Sequence, residues 1–314
     1  MGGGGEAACY IIEHHLKDLL VGVNPLNVEM LWDQIFSSTS FYGRKGLAIM
    51  ALSGIDLALW DVAGRHANAP VFQLLGGSVR DRVPAYLTSP NPEIGMKLGF
   101  RAFKLPVNFG PADGEDGKKK IVEQIKQARN IVGQDALLMI DVLCRWNVDY
   151  TLEIAERLVE MKLHFIEEPL LPDDIPGYEK LCAEVKGTRI ASGEHEYTHY
   201  GFDQLLRRKA AHLLQPDVTW SGGMTTGKRV VMLAASRSVP VVPHRGGSVY
   251  GMHLIQASAN CPMAESFGTG EPGNELMALL TAPFENGHYR APEGPGFGVE
   301  FSDSLLRKHA PELV

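Results

Sequence analysis

Cysteine is scarce in this chain of 314 residues: Cys9, Cys144, Cys182 and Cys261 are the four present, and they lie far apart. No pair has the spacing of a zinc ribbon or a CxxC redox motif, so a reducing cytoplasm is the expected setting. A basic excess is also missing. The chain holds 37 acidic and 30 basic residues, a net charge of −7, whereas a general nucleic-acid-binding surface needs the opposite sign. Long apolar runs are absent too. The most apolar stretch, residues 47–60, is short and carries Asp56 inside it, so no membrane span is expected. Four glycines follow Met1 where a signal peptide would carry a basic region and an apolar core. The C-terminal Ala-Pro-Glu-Leu-Val has no lipidation motif. What is present suits a globular protein: 45% hydrophobic residues fill a sizeable core, and 21% are charged. At ~150 residues per domain, the length fits two domains or one large one.

Residues 1–81 read as helical. Apolar residues recur at helical spacing over 9–20, 28–36 and 47–63, and residues 70–77 read as a helix that stops at a glycine pair. From residue 82 short apolar runs alternate with longer amphipathic stretches. Candidate strands are 83–87, 100–105, 137–140, 164–166, 190–191, 212–214, 239–242 and 263–264. Candidate helices between them include 116–132, 150–161, 176–185, 202–208, 225–237 and 250–257. Strand alternating with helix at this period is the pattern of repeated βα units. About eight strands fit a closed (β/α)8 barrel over residues 82–267. The rival, an open doubly wound sheet, usually needs a Gly-rich first βα turn. Residues 268–314, irregular and rich in Gly and Pro, are expected to return onto the helical part.

Acidic residues and one histidine fall at the strand ends: Asp141, Glu167, Glu194, Asp217, His244 and Glu265. The gaps are 26, 27, 23, 27 and 21 residues, each one βα unit long. In a barrel these ends ring one mouth, where active sites are built. Three consecutive carboxylates there repel unless a cation neutralises them, and oxygen ligands suit a hard divalent ion. Asp141, Glu167 and Glu194 are therefore the candidate ligands of one Mg²⁺ per subunit. Asp217 and His244 lie on neighbouring strands, ~4.8 Å apart. A carboxylate behind an imidazole fixes its tautomer and strengthens it as a base. Lys104, ending a strand across the mouth, is a candidate cation for an anionic substrate. His195 follows Glu194 and faces either the substrate or the barrel wall.

Two other motifs compete. His195-Glu196-Tyr197-Thr198-His199 matches HExxH, which reads as a zinc protease when one helix carries both histidines. Gly193 and Gly201 flank the segment closely, which weakens a long helix there. Gly222 to Lys228 matches GxxxxGK, but Arg229 stands where Ser or Thr would bind Mg²⁺. Its glycines read as a βα turn and Lys228 as helix surface.

The segments Ile140-Asp141, Phe165-Ile166-Glu167-Glu168-Pro169, Ser192-Gly193-Glu194-His195, Gln215-Pro216-Asp217-Val218 with Gly222-Gly223, and Val242-Pro243-His244 together resemble the enolase superfamily, mandelate racemase subgroup. Lys104-Leu105-Pro106, Gly247-Ser248-Val249-Tyr250 and Gly296-Phe297-Gly298-Val299-Glu300 are similar to the L-rhamnonate dehydratases. The resemblance runs from about Glu6 to Glu300. It implies an α/β fold: a modified TIM-type (β/α) barrel with an N-terminal α+β capping domain. Family members begin with cap strands, whereas this sequence enters the cap helices almost at once, so a truncated cap over residues 1–81 is expected. The resemblance also implies Mg²⁺-dependent dehydration of an acid sugar to a 2-keto-3-deoxy acid through an enediolate. His244 would take the C2 proton, Asp217 would orient it, Glu265 would bond near the carboxylate, and His195 would face substrate. Pro106 replaces a second lysine base common in relatives, which favours one-base elimination over racemisation. The expected partner is a small acid-sugar molecule, and a homo-oligomer is the expected assembly. The alternatives are a catalytically idle member acting as a binding protein and, more remotely, the zinc protease.

Overall fold

The computed structural model describes residues 5–268 and 275–309. The front of the chain is helical, as its periodicity requires. Helix α1 (Gly5–Ile11), a π turn (Ile12–Leu16) and α2 (Lys17–Leu20) run on continuously. Then come α3 (Val28–Thr39), α4 (Leu47–His66) and α5 (Val71–Leu74). In α3 the buried Val28, Leu31, Trp32 and Ile35 recur at three- and four-residue steps, giving one apolar stripe. Helix α4 has the length and hydropathy of a membrane span. Here α1, α3 and a barrel helix pack against it.

Strands then alternate with helices in chain order: β1 (Val83–Thr88), α6 (Pro92–Lys97), β2 (Ala102–Pro106), α7 (Gly114–Val132), β3 (Leu137–Asp141), α8 (Val148–Arg157), β4 (Phe165–Glu167) and α9 (Ile175–Glu184). They continue with β5 (Arg189–Ser192), α10 (Thr198–Arg208), β6 (Leu213–Leu214), α11 (Gly223–Ala235), α12 (Val249–Gln256) and β7 (Ala264–Ser266). Strands β1 to β6 pair in sequence, all parallel, and β7 pairs with β1. This is the TIM-type barrel. The expected strand at 239–242 is reduced to a bridge between Leu214 and Val241. Pro240 lies inside that segment and Pro243 directly follows it, and proline has no N–H for a ladder.

The C-terminal stretch is less irregular than its composition indicates. It forms α13 (Glu275–Leu279), the hairpin β8 (Phe284–Glu285) and β9 (His288–Tyr289), and α14 (Asp303–His309). Strand β9 pairs antiparallel with β1 at Val83. The hairpin turns at Asn286-Gly287, both with positive φ (47° and 75°), the pair that tight hairpin turns favour. Strands of two residues are too short to show alternation. Beyond the hairpin, Gly296 meets the helical front: its carbonyl accepts from Val71 N (2.8 Å) and its N–H donates to Ala69 O (3.0 Å). Arg65 of α4 reaches Glu300 (2.9 Å) and the Val299 carbonyl (2.7 Å).

Inside the barrel, Tyr86, Ala102, Met139, Phe165, Ala191, Leu213 and Val242 form one buried cluster, with Met263 packed on it. Side chains on a strand alternate faces, so two residues further along each strand the next inward position follows. Counting two from each of these eight gives Thr88, Lys104, Asp141, Glu167, Gly193, Gln215, His244 and Glu265. A row of apolar side chains is therefore followed by a row that carries chemistry.

Candidate active site

Lys104 is the second residue of that row. Its ammonium bonds Glu167, sits 2.7 Å from Glu265 Oε1 and 3.8 Å from Asp141 Oδ2, and its side chain is 1% exposed. Expected to meet an anionic substrate, it is engaged by protein carboxylates. Burial opposes its charge, but Glu167 and Glu265 outweigh that and hold its pKa well above the usual lysine value. Burial would also raise Glu265, but Lys104 and then His244 hold its carboxyl down at about 2. Thr88 Oγ1 donates to Glu265 Oε1 (2.5 Å) and Arg245 N to Oε2 (2.9 Å).

Asp141, Glu167 and Glu194 converge: one carboxylate oxygen from each lies within 4.8 Å of the others. Asp141 and Glu167 follow directly from strand alternation. Glu194 stands one residue beyond the row, at Gly193. There φ is +131°, and a Cβ would lie 2.8 Å from the Phe202 ring, so glycine is needed for the turn that brings Glu194 in. Burial raises all three carboxyls above their ordinary values, and repulsion from neighbouring carboxylates adds to it. Four carboxylates, with Glu265, face one lysine. Three hard oxygen donors that resist ionising together fit a divalent cation such as Mg²⁺.

His244 Nδ1 lies 2.9 Å from Asp217 Oδ2. A carboxylate acceptor puts the proton on Nδ1 and turns Nε2 to the mouth, 3.7 Å from Glu194 and 3.9 Å from Glu265. Burial works against protonation of His244. The bond to Asp217 and the charges of Glu265 and Glu194 outweigh it, raising the imidazole to about 9. Trp220 and Phe267 flank the ring at 5.2 and 5.7 Å. Asp217 is itself fixed by Thr219, whose N and Oγ1 both lie 2.6 Å from Oδ1.

The turn that carries Asp217 and Trp220 is held from the helical front. Trp32 Nε1 donates to Gly222 O (2.7 Å), and Gly222 N donates to Ser53 Oγ (2.8 Å). Asp56 accepts from Thr225 N (2.9 Å) and Thr225 Oγ1 (2.5 Å), at the start of α11. Trp60 Nε1 adds a bond to Thr225 Oγ1 (2.9 Å). The glycine pair is thus a βα turn, while Lys228 pairs with Glu29 at 2.5 Å.

His195 Nδ1 lies 2.6 Å from Glu168 Oε2, and Nε2 lies 3.8 Å from Glu194. The bond to Glu168 raises its pKa, against burial. The zinc-protease reading fails on geometry. His195 precedes α10, which starts at Thr198, while His199 lies inside it and packs against Trp32. Glu196 pairs with Lys45. Pro106 ends β2 opposite Asp141, so no second base stands there. Two participants escaped the sequence reading. Gln215 donates to Glu167, and Glu168 joins His195 to Cys144. Counting two residues on from Leu213 would have found Gln215.

Residues 94–305 match the enolase C-terminal domain-like family, and residues 1–76 match the mandelate racemase / muconate lactonizing enzyme N-terminal domain. Among curated sequences, a putative L-rhamnonate dehydratase of Caldivirga maquilingensis is 41% identical over 309 residues, covering 96% of this chain and 77% of that one. Among solved structures, rhamnonate dehydratase from Gibberella zeae complexed with Mg superposes with a TM-score of 0.88 at 34% identity, covering 96% of this chain and 76% of that one. A racemase from Streptomyces coelicolor with bound magnesium has a TM-score of 0.86 at 29% identity, over 98% of this chain and 85% of that one.

Proposed function

For this chain, which belongs to the enolase superfamily, we propose Mg²⁺-dependent dehydration of an acid sugar, an aldonate of the L-rhamnonate kind, to a 2-keto-3-deoxy acid. The two rhamnonate dehydratases named above support the substrate class. The observation that carries the chemistry is the carboxylate triad Asp141, Glu167 and Glu194 beside the His244–Asp217 pair. The triad would hold one Mg²⁺ per subunit, which supplies stabilisation of the negative charge left on the substrate carboxylate when a neighbouring proton departs.

His244 Nε2 takes the C2 proton. Asp217 keeps that nitrogen free and stabilises the imidazolium that forms. With the triad's charge neutralised, His244 loses part of the field that retains its proton, which brings it toward the neutral form a base requires. The imidazolium then returns its proton to the departing 3-hydroxyl when both groups lie on one face of the substrate. Lys104 keeps Glu265 ionised and offsets part of the burial that raises Glu167, and Glu265 bonds in the carboxylate region. His195, 42% exposed at the side chain, faces substrate. With proline at 106 there is no lysine for the opposite face, so elimination with one base is favoured over racemisation.

The test is incubation with Mg²⁺ and a panel of aldonic acids, followed by a semicarbazide assay for 2-keto-3-deoxy products. The expected result is product from at least one acid, and none with His244→Asn. That variant also loses C2 proton exchange in D₂O while Mg²⁺ affinity stays within about twofold, since His244 is not a ligand. Exchange that survives in the variant removes His244 as the base. No product from any acid, with Mg²⁺ bound, supports the idle, binding-protein reading instead.

A further inference from the structure

A second group of donors lies beside the triad, on the same strand ends. Cys144 Sγ, a Glu168 carboxylate oxygen and a His195 ring nitrogen all fall within 4.8 Å of one another. Glu168 Oε2 is the centre of the group, 3.1 Å from Cys144 Sγ and 2.6 Å from His195 Nδ1. Three separate elements deliver them: the turn after β3, the end of β4 and the segment after β5. The first two are tied together, because Cys144 N donates to Glu168 O (2.8 Å).

We propose that Cys144, Glu168 and His195 form a second cation site, selective for a thiophilic divalent ion such as Zn²⁺ or Cd²⁺. Sulfur, imidazole nitrogen and carboxylate oxygen are the donor set of zinc-type sites, whereas the neighbouring triad offers oxygen alone. The two sites therefore sort cations by softness. Three protein ligands leave a fourth position open, and the approach is from solvent, since the His195 side chain is 42% exposed while Glu168 is 3% exposed. Donors around a tetrahedral ion stand roughly 3.4 Å apart for ligand distances near 2.1 Å. The group must widen by about that difference, and the exposed imidazole has room to move. On binding, the Cys144 S–H bond breaks, its proton leaves to solvent, and a sulfur–metal bond forms, so one thiol proton is released per ion.

The experiment uses the full chain in excess Mg²⁺, with Cys9→Ser to remove the exposed thiol, titrated with Cd²⁺ and followed by the ultraviolet thiolate-to-cadmium absorption. The band is expected to saturate at one equivalent and to be unaffected by further Mg²⁺. Cys144→Ala abolishes it. His195→Ala weakens Cd²⁺ binding by about tenfold or more, the scale on which even outer partners of a metal act. Cys182→Ala leaves it unchanged. Circular dichroism and Mg²⁺ affinity of each variant report that the fold and triad persist. A band that survives Cys144→Ala, that His195→Ala leaves untouched, or that excess Mg²⁺ removes overturns the site. Loss of dehydratase turnover on Cd²⁺ addition would follow because His195 is withdrawn from the mouth; that consequence rests on the acid-sugar reading, whereas the absorption band does not.

Discussion

Replacing Lys104 with methionine removes what is, among the described residues, the one permanent positive charge among these four carboxylates, while keeping most of the side-chain volume. The ammonium is 1% exposed and touches Glu167 and Glu265, so both lose their counter-ion in a place water does not reach. One ion pair at 4 Å and an effective dielectric of 20 is worth about 4 kcal/mol, and there are two. The desolvation of the ammonium, which methionine does not incur, offsets a large part. The expected net loss in EDTA is about 3–5 kcal/mol, the range for breaking a buried pair. At ~2 °C per kcal/mol for a chain of this size, the melting temperature falls by about 6–10 °C. Calorimetric or urea unfolding, with EDTA and with saturating Mg²⁺, gives the readout. Mg²⁺ should recover more stability in the variant than in the unmodified protein, because it becomes the main positive charge in the ring. The pH dependence has a definite sign. Glu265 is held down at about 2 with Lys104 as the main cause, so its contribution is present above the unfolded value of ~4.5 and is lost as pH falls from there toward 2. The difference between the two proteins must shrink over the same window. A loss under ~1 kcal/mol in EDTA, or equal recovery by Mg²⁺ in both proteins, refutes the assignment of Lys104 as the ring's counter-ion.

Two further outcomes follow from the same geometry. Glu194→Gln removes one charged donor of the triad and should weaken Mg²⁺ binding at least tenfold by calorimetric titration; unchanged affinity takes Glu194 out of the ligand set. Asp56, buried between α4 and α11, is raised by burial to about 7 in spite of the bonds from Thr225. The native state therefore keeps a proton that the unfolded chain loses near 3.9, and stability falls as pH rises from about 4 to 7. At 1.36 kcal/mol per unit, the drop between pH 5 and 8 is about 3 kcal/mol. Asp56→Asn should flatten that part of the profile, and identical slopes in the two proteins would mean that Asp56 is ionised throughout.

Much of this architecture is legible in the sequence because periodicity is local. Helix α7 and strands β1 to β5 announce themselves by spacing, and the acidic residues at one-unit intervals locate the mouth. What is not legible depends on distance or on very short elements. Asp56 reads only as a polar break in an apolar helix; its partner Thr225 lies 169 residues away. The strand at 239–242 reads well by composition, yet Pro240 within it and Pro243 after it leave a single bridge. Lys104 reads as a cation for substrate, because nothing local reveals that Glu167 and Glu265 surround it. Glu168 hides beside the more conspicuous Glu167, and its role appears only once β4 and the turn after β3 are brought together.

The two stacked rows inside the barrel have a consequence for how such a site can change. The lower row is apolar and supports each strand, and the upper row, two residues on, decides the chemistry. Each strand thus offers one seat that can be refilled by substitution while the floor beneath stays as it is. Inserting or deleting one residue in a strand does the reverse: it turns a floor side chain outward and a seat out of the mouth. New reactions on this scaffold are reached by exchanging occupants, and the length of each strand is the part that has to be kept.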